Sequence, residues 1–209
     1  MTTTGTTTRF GLIRHAQTTW NLEKRIQGRK DSPLTAEGKR RAVNWGKQLK
    51  KIKWNRILSS DTGRALQTAV LINAALRVPL DVDARLQEQD WGFWTGKREP
   101  DIRRDDSRKL KELTNLGWDF RPPGGESRRE VWKRSDAALR AAADAWPGTA
   151  FLIVTHEGII KSLIYHLSGR RFLPSDPPLV RPGHLHQLIF TPGRKEMKIE
   201  RINALKLSS

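Results

Sequence analysis

The sequence predicts an α/β fold, a single-domain three-layer sandwich with a mostly parallel central sheet flanked by helices. Three observations predict it. Short apolar runs, "FGLI", "RILS", "FLIV" and "LHQLIF", recur along the chain. Longer segments of helical period separate them, the signature of strands joined by helical crossovers. The 209 residues suffice for one sizeable core, and 36% hydrophobic with 29% charged residues is a globular balance.

The elements follow in chain order. "MTTTGTTT", residues 1–8, has neither a positive first segment nor an apolar middle, so it reads as a disordered polar tail and not as a secretory signal. The domain is expected over 9–209. "FGLI" is its first strand. In "LTAEGKRRAVNWGKQLKK", Thr35 can cap a helix whose inner face carries Ala42, Trp45, Leu49 and Ile52. "RILS" is the second strand. The helix after it, in "SSDTGRALQTAVLINAAL", takes Asp61 as its cap and turns Ala65, Leu66, Ala69, Ile72 and Leu76 inward.

Residues 97–125 are charge-rich and weakly periodic, and are expected as a lid-like excursion over a pocket. A helix from about Glu126 to Ala145 places Val131, Ala138, Ala142 and Ala145 in one stripe until "PG" stops it. "FLIV" follows at once, then the helix "GIIKSLIYHLSG", which Gly169 ends, and "LHQLIF" is the last strand.

Composition narrows the chemistry. With no cysteine there is no disulfide, thiolate metal site or thiol nucleophile. No apolar run approaches a membrane span, and cytoplasmic residence is expected. The formal charge of +17 favours polyanions or phosphorylated small molecules as partners, but charge alone does not choose among them. Solvated helix faces account equally well for most of the 39 basic residues. Eight scattered tryptophans, with Trp45 and Trp132 inside helices, fit core and lid packing better than base stacking. "HLH" at 184–186 puts two imidazoles on one strand face, without a third ligand nearby.

Ligands of open parallel sheets bind outside the carboxyl ends of the strands. There the sequence places "RH", "SSDTGR" and "THEG", bringing Arg14, His15, Arg64 and His156 to one rim. Two of these segments open helices, whose free N–H groups favour an anion. Arginine matches two phosphate oxygens at once, and a neutral imidazole between cations is a competent nucleophile toward phosphorus. Thr18 and Asn21 can add neutral hydrogen bonds to the phosphate oxygens.

These residues carry a resemblance. "RHAQTTWN", "QGRKDSPLTAEG", "SSDTGRALQTA", "LQEQDWGFWTG" and "VTHEG", in this order between Arg9 and Leu167, are similar to the motifs of the histidine phosphatase superfamily, the phosphoglycerate-mutase-like group. Within it the chain resembles the broad-specificity phosphatases, alpha-ribazole phosphatases and fructose-2,6-bisphosphatase-like proteins. The resemblance implies that His15 forms a phosphohistidine, that Arg14, Arg64 and His156 hold the group in flight, and that Glu88 donates the leaving-group proton. Beside a phosphate dianion, a carboxyl group keeps its proton more readily. Asn21, Gln27 and Gly28 match positions that contact phosphate and substrate, and neither metal nor cofactor is implied.

Two positions depart from the family pattern. Ala16 stands where the family has glycine, and a positive φ there would strain alanine. Glu157 brings an acid beside His156, harmless if it faces a lid arginine and repulsive to a dianion if it points inward. The expected activity is hydrolysis of phosphate monoesters, with a small phosphorylated metabolite as partner and nucleic acid not expected. Phosphoglycerate mutase is the enzymatic alternative, although such mutases carry longer enclosing segments. A non-catalytic phosphate- or polyanion-binding protein is the other, against which Glu88 argues, since mere binding has no use for an acid.

Overall fold

The computed structural model describes residues 6–192 and 195–208. The chain runs through β1 (Thr8–Arg14), α1 (Thr19–Leu22), α2 (Ala36–Leu49), β2 (Arg56–Ser59), α3 (Gly63–Leu76) and β3 (Leu80–Val82). It continues through α4 (Glu99–Asp105), α5 (Ser107–Thr114), α6 (Arg128–Ala145), β4 (Ala150–Thr155), α7 (Glu157–Leu167), β5 (His184–Thr191) and β6 (Glu196–Lys206). Six strands form one sheet in the order β3-β2-β4-β1-β5-β6. The first four are mutually parallel, while β5 and β6 run antiparallel at one side.

Period-two alternation divides the core into two layers. Phe10, Leu12, Phe151 and Ile153 face α6 and α7, meeting Val131, Leu139, Ile160 and Leu163. Ile13, Ile57, Leu152 and Val154 face α2 and α3, meeting Trp45, Leu49, Ala69 and Ile72. The register Phe10↔Phe151 stacks two rings 5.5 Å apart across β1 and β4. Gly11 is in the strand because Trp54 lies over it; a Cβ there would stand 2.8 Å from Trp54 Cζ3.

Several boundaries differ from expectation. Residues 1–5 of the expected tail lie outside the described residues, whereas Thr8 opens β1 and is fully buried, its hydroxyl accepting from Gly148 N–H at 3.0 Å. Asp61 does not cap α3; Thr62 holds that position without a side-chain bond, and Asp61 accepts from Gln87 Nε2 at 2.8 Å. α6 begins at Arg128 because Ser127 and Glu130 close a capping box, satisfying two otherwise orphan N–H groups.

β3 and β6 have no counterpart in the sequence reading. Residues 97–125 hold α4, α5 and a 3-10 turn at Gly117–Asp119, and they bury Ile102 and Phe120 against Trp94 in a small third cluster. Among the described residues no helix is long and apolar enough to cross a membrane, and no three His, Asp or Glu side chains gather as a metal site. His184 instead meets Pro182 O, and His186 accepts from Asn203 N–H.

Candidate active site

The parallel strands end on the residues the chemistry needs. The end of β1 delivers Arg14 and His15, the loop after β2 delivers Ser60 and Thr62, the first turn of α3 delivers Arg64, and the end of β4 delivers His156. Arg14, His15 and Arg64, together with Glu88, line a cavity of about 920 Å³. The rings of His15 and His156 lie 5.2 Å apart, edge to face.

The tautomers follow from the partners. His15 Nδ1 lies 2.7 Å from Ala16 O, which can only accept, so the proton is on Nδ1. Nε2 is left with its lone pair and accepts from Arg64 Nε at 3.3 Å. His156 Nδ1 faces Arg64 Nη2 at 3.3 Å, and a guanidinium only donates, so Nδ1 accepts. Its Nε2–H donates to Ser60 Oγ at 3.0 Å, with Thr62 Oγ1 at 3.2 Å. Both imidazoles titrate well below the ordinary histidine range, through burial first. For His15, Arg14 and Arg64 push the same way; for His156, His15 and the two arginines do. Each is therefore neutral near pH 7.

Arg64 is 1% exposed and needs partners along its whole fork. Nη1 donates to Lys30 O at 2.7 Å and to Asp31 Oδ1 at 3.1 Å, and Nη2 donates to Gly28 O at 2.7 Å. Asp31 Oδ1 also accepts from Arg64 N–H, so the start of α3, expected to greet phosphate, holds a carboxylate. The start of α7 does the same: Gly158 N–H donates to Glu88 Oε2 at 3.3 Å, while Gln89 N–H donates to Oε1 at 2.9 Å. Glu88 is thereby oriented by two backbone donors at the cavity wall.

The site thus brings together two neutral imidazoles, two guanidiniums and a carboxyl group held by backbone N–H groups. A profile of the histidine phosphatase superfamily (branch 1) matches residues 10–203, nearly the whole chain. The chain belongs to the histidine phosphatase superfamily. A "Probable phosphoglycerate mutase GpmB" of Salmonella choleraesuis is 35% identical over 158 residues, 76% of this chain and 74% of that protein. Bacillus stearothermophilus YhfR superimposes with a TM-score of 0.84 at 30% identity, covering 95% of this chain and 98% of that one. A mycobacterial glucosyl-3-phosphoglycerate phosphatase complexed with VO3 superimposes with a TM-score of 0.81 at 28% identity, over 94% and 99%. Phosphoryl transfer is the chemistry of this superfamily.

The site residues expected from the sequence fall into three groups. His15, Arg14, Arg64 and Glu88 line the cavity together. His156 is fully buried, behind the cavity surface, against both Arg64 and the His15 ring. Asn21, Gln27 and Gly28 line the cavity. Asn21 Oδ1 accepts from both Thr18 N–H and Thr18 Oγ, leaving its amide N–H groups for a ligand. Gln27 is 7% exposed and its Oε1 has no partner among the described residues, while Gly28, at φ +53°, acts through the carbonyl that holds Arg64.

Thr18 is a correction. It is completely buried and locked in a capping box with Asn21, so its hydroxyl positions Asn21 and does not meet phosphate. Ala16 takes no positive φ; its N–H donates to Thr68 Oγ1 at 3.0 Å, and its methyl packs in the core. Glu157 faces no lid arginine. It pairs with Arg14 at 2.5 Å and with Lys161 at 2.5 Å. Burial pulls its pKa up, yet Arg14 and Lys161 together hold it below the usual carboxylate range. Asp31, Ser60, Thr62 and Lys161 were not singled out by the sequence reading; only their places inside the quoted motifs, or one turn beyond "VTHEG", pointed to them.

Proposed function

We propose that the chain is a metal-independent phosphomonoesterase that hydrolyses small phosphorylated metabolites through a phosphohistidine on His15. The observation that carries this reading is the short bond from His15 Nδ1–H to Ala16 O, which aims an unprotonated Nε2 at the Arg64 fork. In the first step Nε2 attacks phosphorus, the bond to the ester oxygen breaks, and the protonated carboxyl of Glu88 supplies the proton that turns the leaving alkoxide into an alcohol. In the second step the Glu88 carboxylate takes a proton from water, whose oxygen attacks phosphorus. The P–N bond then breaks, and orthophosphate leaves a neutral His15. Arg14 and Arg64 meet the charge on the equatorial oxygens, the electrostatic service that phosphoryl transfer needs most.

The test is release of orthophosphate from a panel of esters in the presence of chelator, with mass-spectrometric mapping of the acid-labile adduct. Turnover with the adduct on His15, both lost in His15→Ala, is the expected result. No turnover, or an adduct on another residue, overturns the assignment. The mutase reading is favoured by the Salmonella relative, a probable phosphoglycerate mutase. Isomerisation of 3-phosphoglycerate measured against phosphate release separates it from hydrolysis.

A further inference from the structure

The far wall of the cavity holds a cation that the chemistry above does not use. Arg128, the first residue of α6, lines the cavity, and among the described residues it forms no ion pair with a carboxylate. Every other arginine on the lining has one, Arg14 with Glu157, Arg25 with Glu23, Arg64 with Asp31 and Arg103 with Glu99. Lys111, also on the lining, is exposed and solvated, so it needs none.

Arg128 is also fixed, in a way that leaves one edge free. Its guanidinium carbon lies 4.3 Å from the centroid of the Phe120 ring and 4.1 Å from that of Phe172. Nη1 donates to Phe172 O at 2.9 Å and to Gly117 O at 3.1 Å. With ring contacts on the guanidinium and Nη1 used twice, the Nε–H and Nη2–H edge remains. That side-on pair matches the two oxygens of a carboxylate or phosphate.

The wall is held in place at a cost. Phe172 adopts φ +63°, a conformation aromatic residues rarely take, while its ring packs on Arg128 and lies 4.6 Å from that of Tyr165. Burial lowers the Arg128 pKa to about 10, which still leaves it charged at neutral pH. An unpaired, partly desolvated cation is costly unless an anion arrives.

We propose that the Nε/Nη2 edge of Arg128 is a second anion subsite, receiving a carboxylate or a further phosphate that the substrate carries away from its reacting phosphoryl group. The proposal rests on the phosphomonoesterase reading and narrows its substrate class to esters with an anionic tail. The test compares alkyl phosphates with ω-carboxyalkyl phosphates and α,ω-bisphosphates of matched length, over a series of chain lengths.

Wild type is expected to favour one charged-tail series at a particular length by about tenfold or more in kcat/KM, the contribution of a charge-assisted bond. Arg128→Gln should collapse that ratio toward one, and Arg128→Lys, which keeps the charge and the stem, should retain part of it. The series with the larger ratio identifies the tail. Where Arg128→Gln does not fold, the wild-type length series and Arg128→Lys decide. A ratio of one at every length in wild type, or an equal loss on all esters in the variants, makes Arg128 a structural clasp and overturns the proposal. Calorimetric affinities of the same esters for the His15→Ala protein read the subsite without turnover, so failure of catalysis and failure of the subsite remain distinguishable.

Discussion

Glu88 is assigned as the proton donor, and the structure offers a substitution that moves it without touching it. Gly158 lies in the first turn of α7, and a Cβ there would stand 3.2 Å from Glu88 Cδ and run into Oε1. Ordinary contact needs ~3.5–4.0 Å, so Gly158→Ala must displace the carboxyl group by about 1 Å. The displaced group is the free end of a side chain, and alanine is the better helix former by ~1 kcal/mol, so stability should hold. Activity should not. A misplacement of about 1 Å costs roughly a hundredfold, within the ~10²–10⁴ that general acid catalysis contributes. The deficit must depend on the leaving group: alkyl phosphates need the proton, whereas p-nitrophenyl phosphate hardly does. Steady-state kcat/KM for both ester classes, beside a thermal melt, is the assay. Equal losses on the two classes in a stable protein would refute Glu88 as the donor that Gly158 makes room for.

Glu157→Gln removes the carboxylate that shares Arg14 with the incoming dianion; the inhibition constant of orthophosphate should fall about twofold to fivefold, the ~0.5–1 kcal/mol of a partly exposed pair, and an unchanged constant would show that Arg14 does not bind phosphate. Acid should destabilise the fold below about pH 6.5. His15 and His156 are held neutral when folded, so the unfolded chain binds more protons, and their contribution is complete above the unfolded pKa and lost as pH falls. Denaturant titrations between about pH 7.5 and 5 should show up to ~1.4 kcal/mol per pH unit per histidine, less in His15→Asn; a flat profile contradicts the buried neutral pair. Gly11→Ala drives a methyl to 2.8 Å from Trp54 Cζ3 and should cost ~1–3 kcal/mol in a denaturation midpoint, against no loss if Trp54 can move aside.

Much of the fold was legible because its cues are local. Thr35 does cap α2, accepting from Gly38 N–H at 2.9 Å, and Ala42, Trp45 and Leu49 are buried on the face their spacing marked. The elements that escaped lack such cues. β3 has three residues, none fully buried, and owes its existence to pairing with β2. β6 carries five charged residues at the sheet edge and is interrupted by Asn203 at φ +53°, so neither alternation nor an apolar run reveals it. Asp61 fails to cap α3 for a different reason. α3 takes its acceptor from Asp31, thirty-three positions away along the chain, a tertiary contact that no local pattern encodes.

The site follows the same division. Side chains proposed to act by type, His15, Arg14, Arg64 and Glu88, stand out in sequence because few residue types offer such chemistry, and the structure brings all four to one cavity. What holds them is largely backbone, and carbonyl groups leave no mark on composition. Arg64 shows the consequence. A guanidinium this deeply buried cannot stay uncompensated, so the loop over residues 28–31 supplies Gly28 O, Lys30 O and the Asp31 carboxylate. The carbonyls constrain the sequence only through conformation, in Gly28 at φ +53°, where a Cβ would also meet Thr95 Oγ1 at 3.0 Å. Asp31 does the same work by charge, and Glu157 repeats it for Arg14. Arg14 and Arg64 thus both rest against resident carboxylates, which stabilises the empty site, and on the proposed reading an incoming dianion gains only the difference between its own attraction and theirs. On the proposed reading, such a clamp favours release of orthophosphate over its retention, the balance that hydrolysis requires.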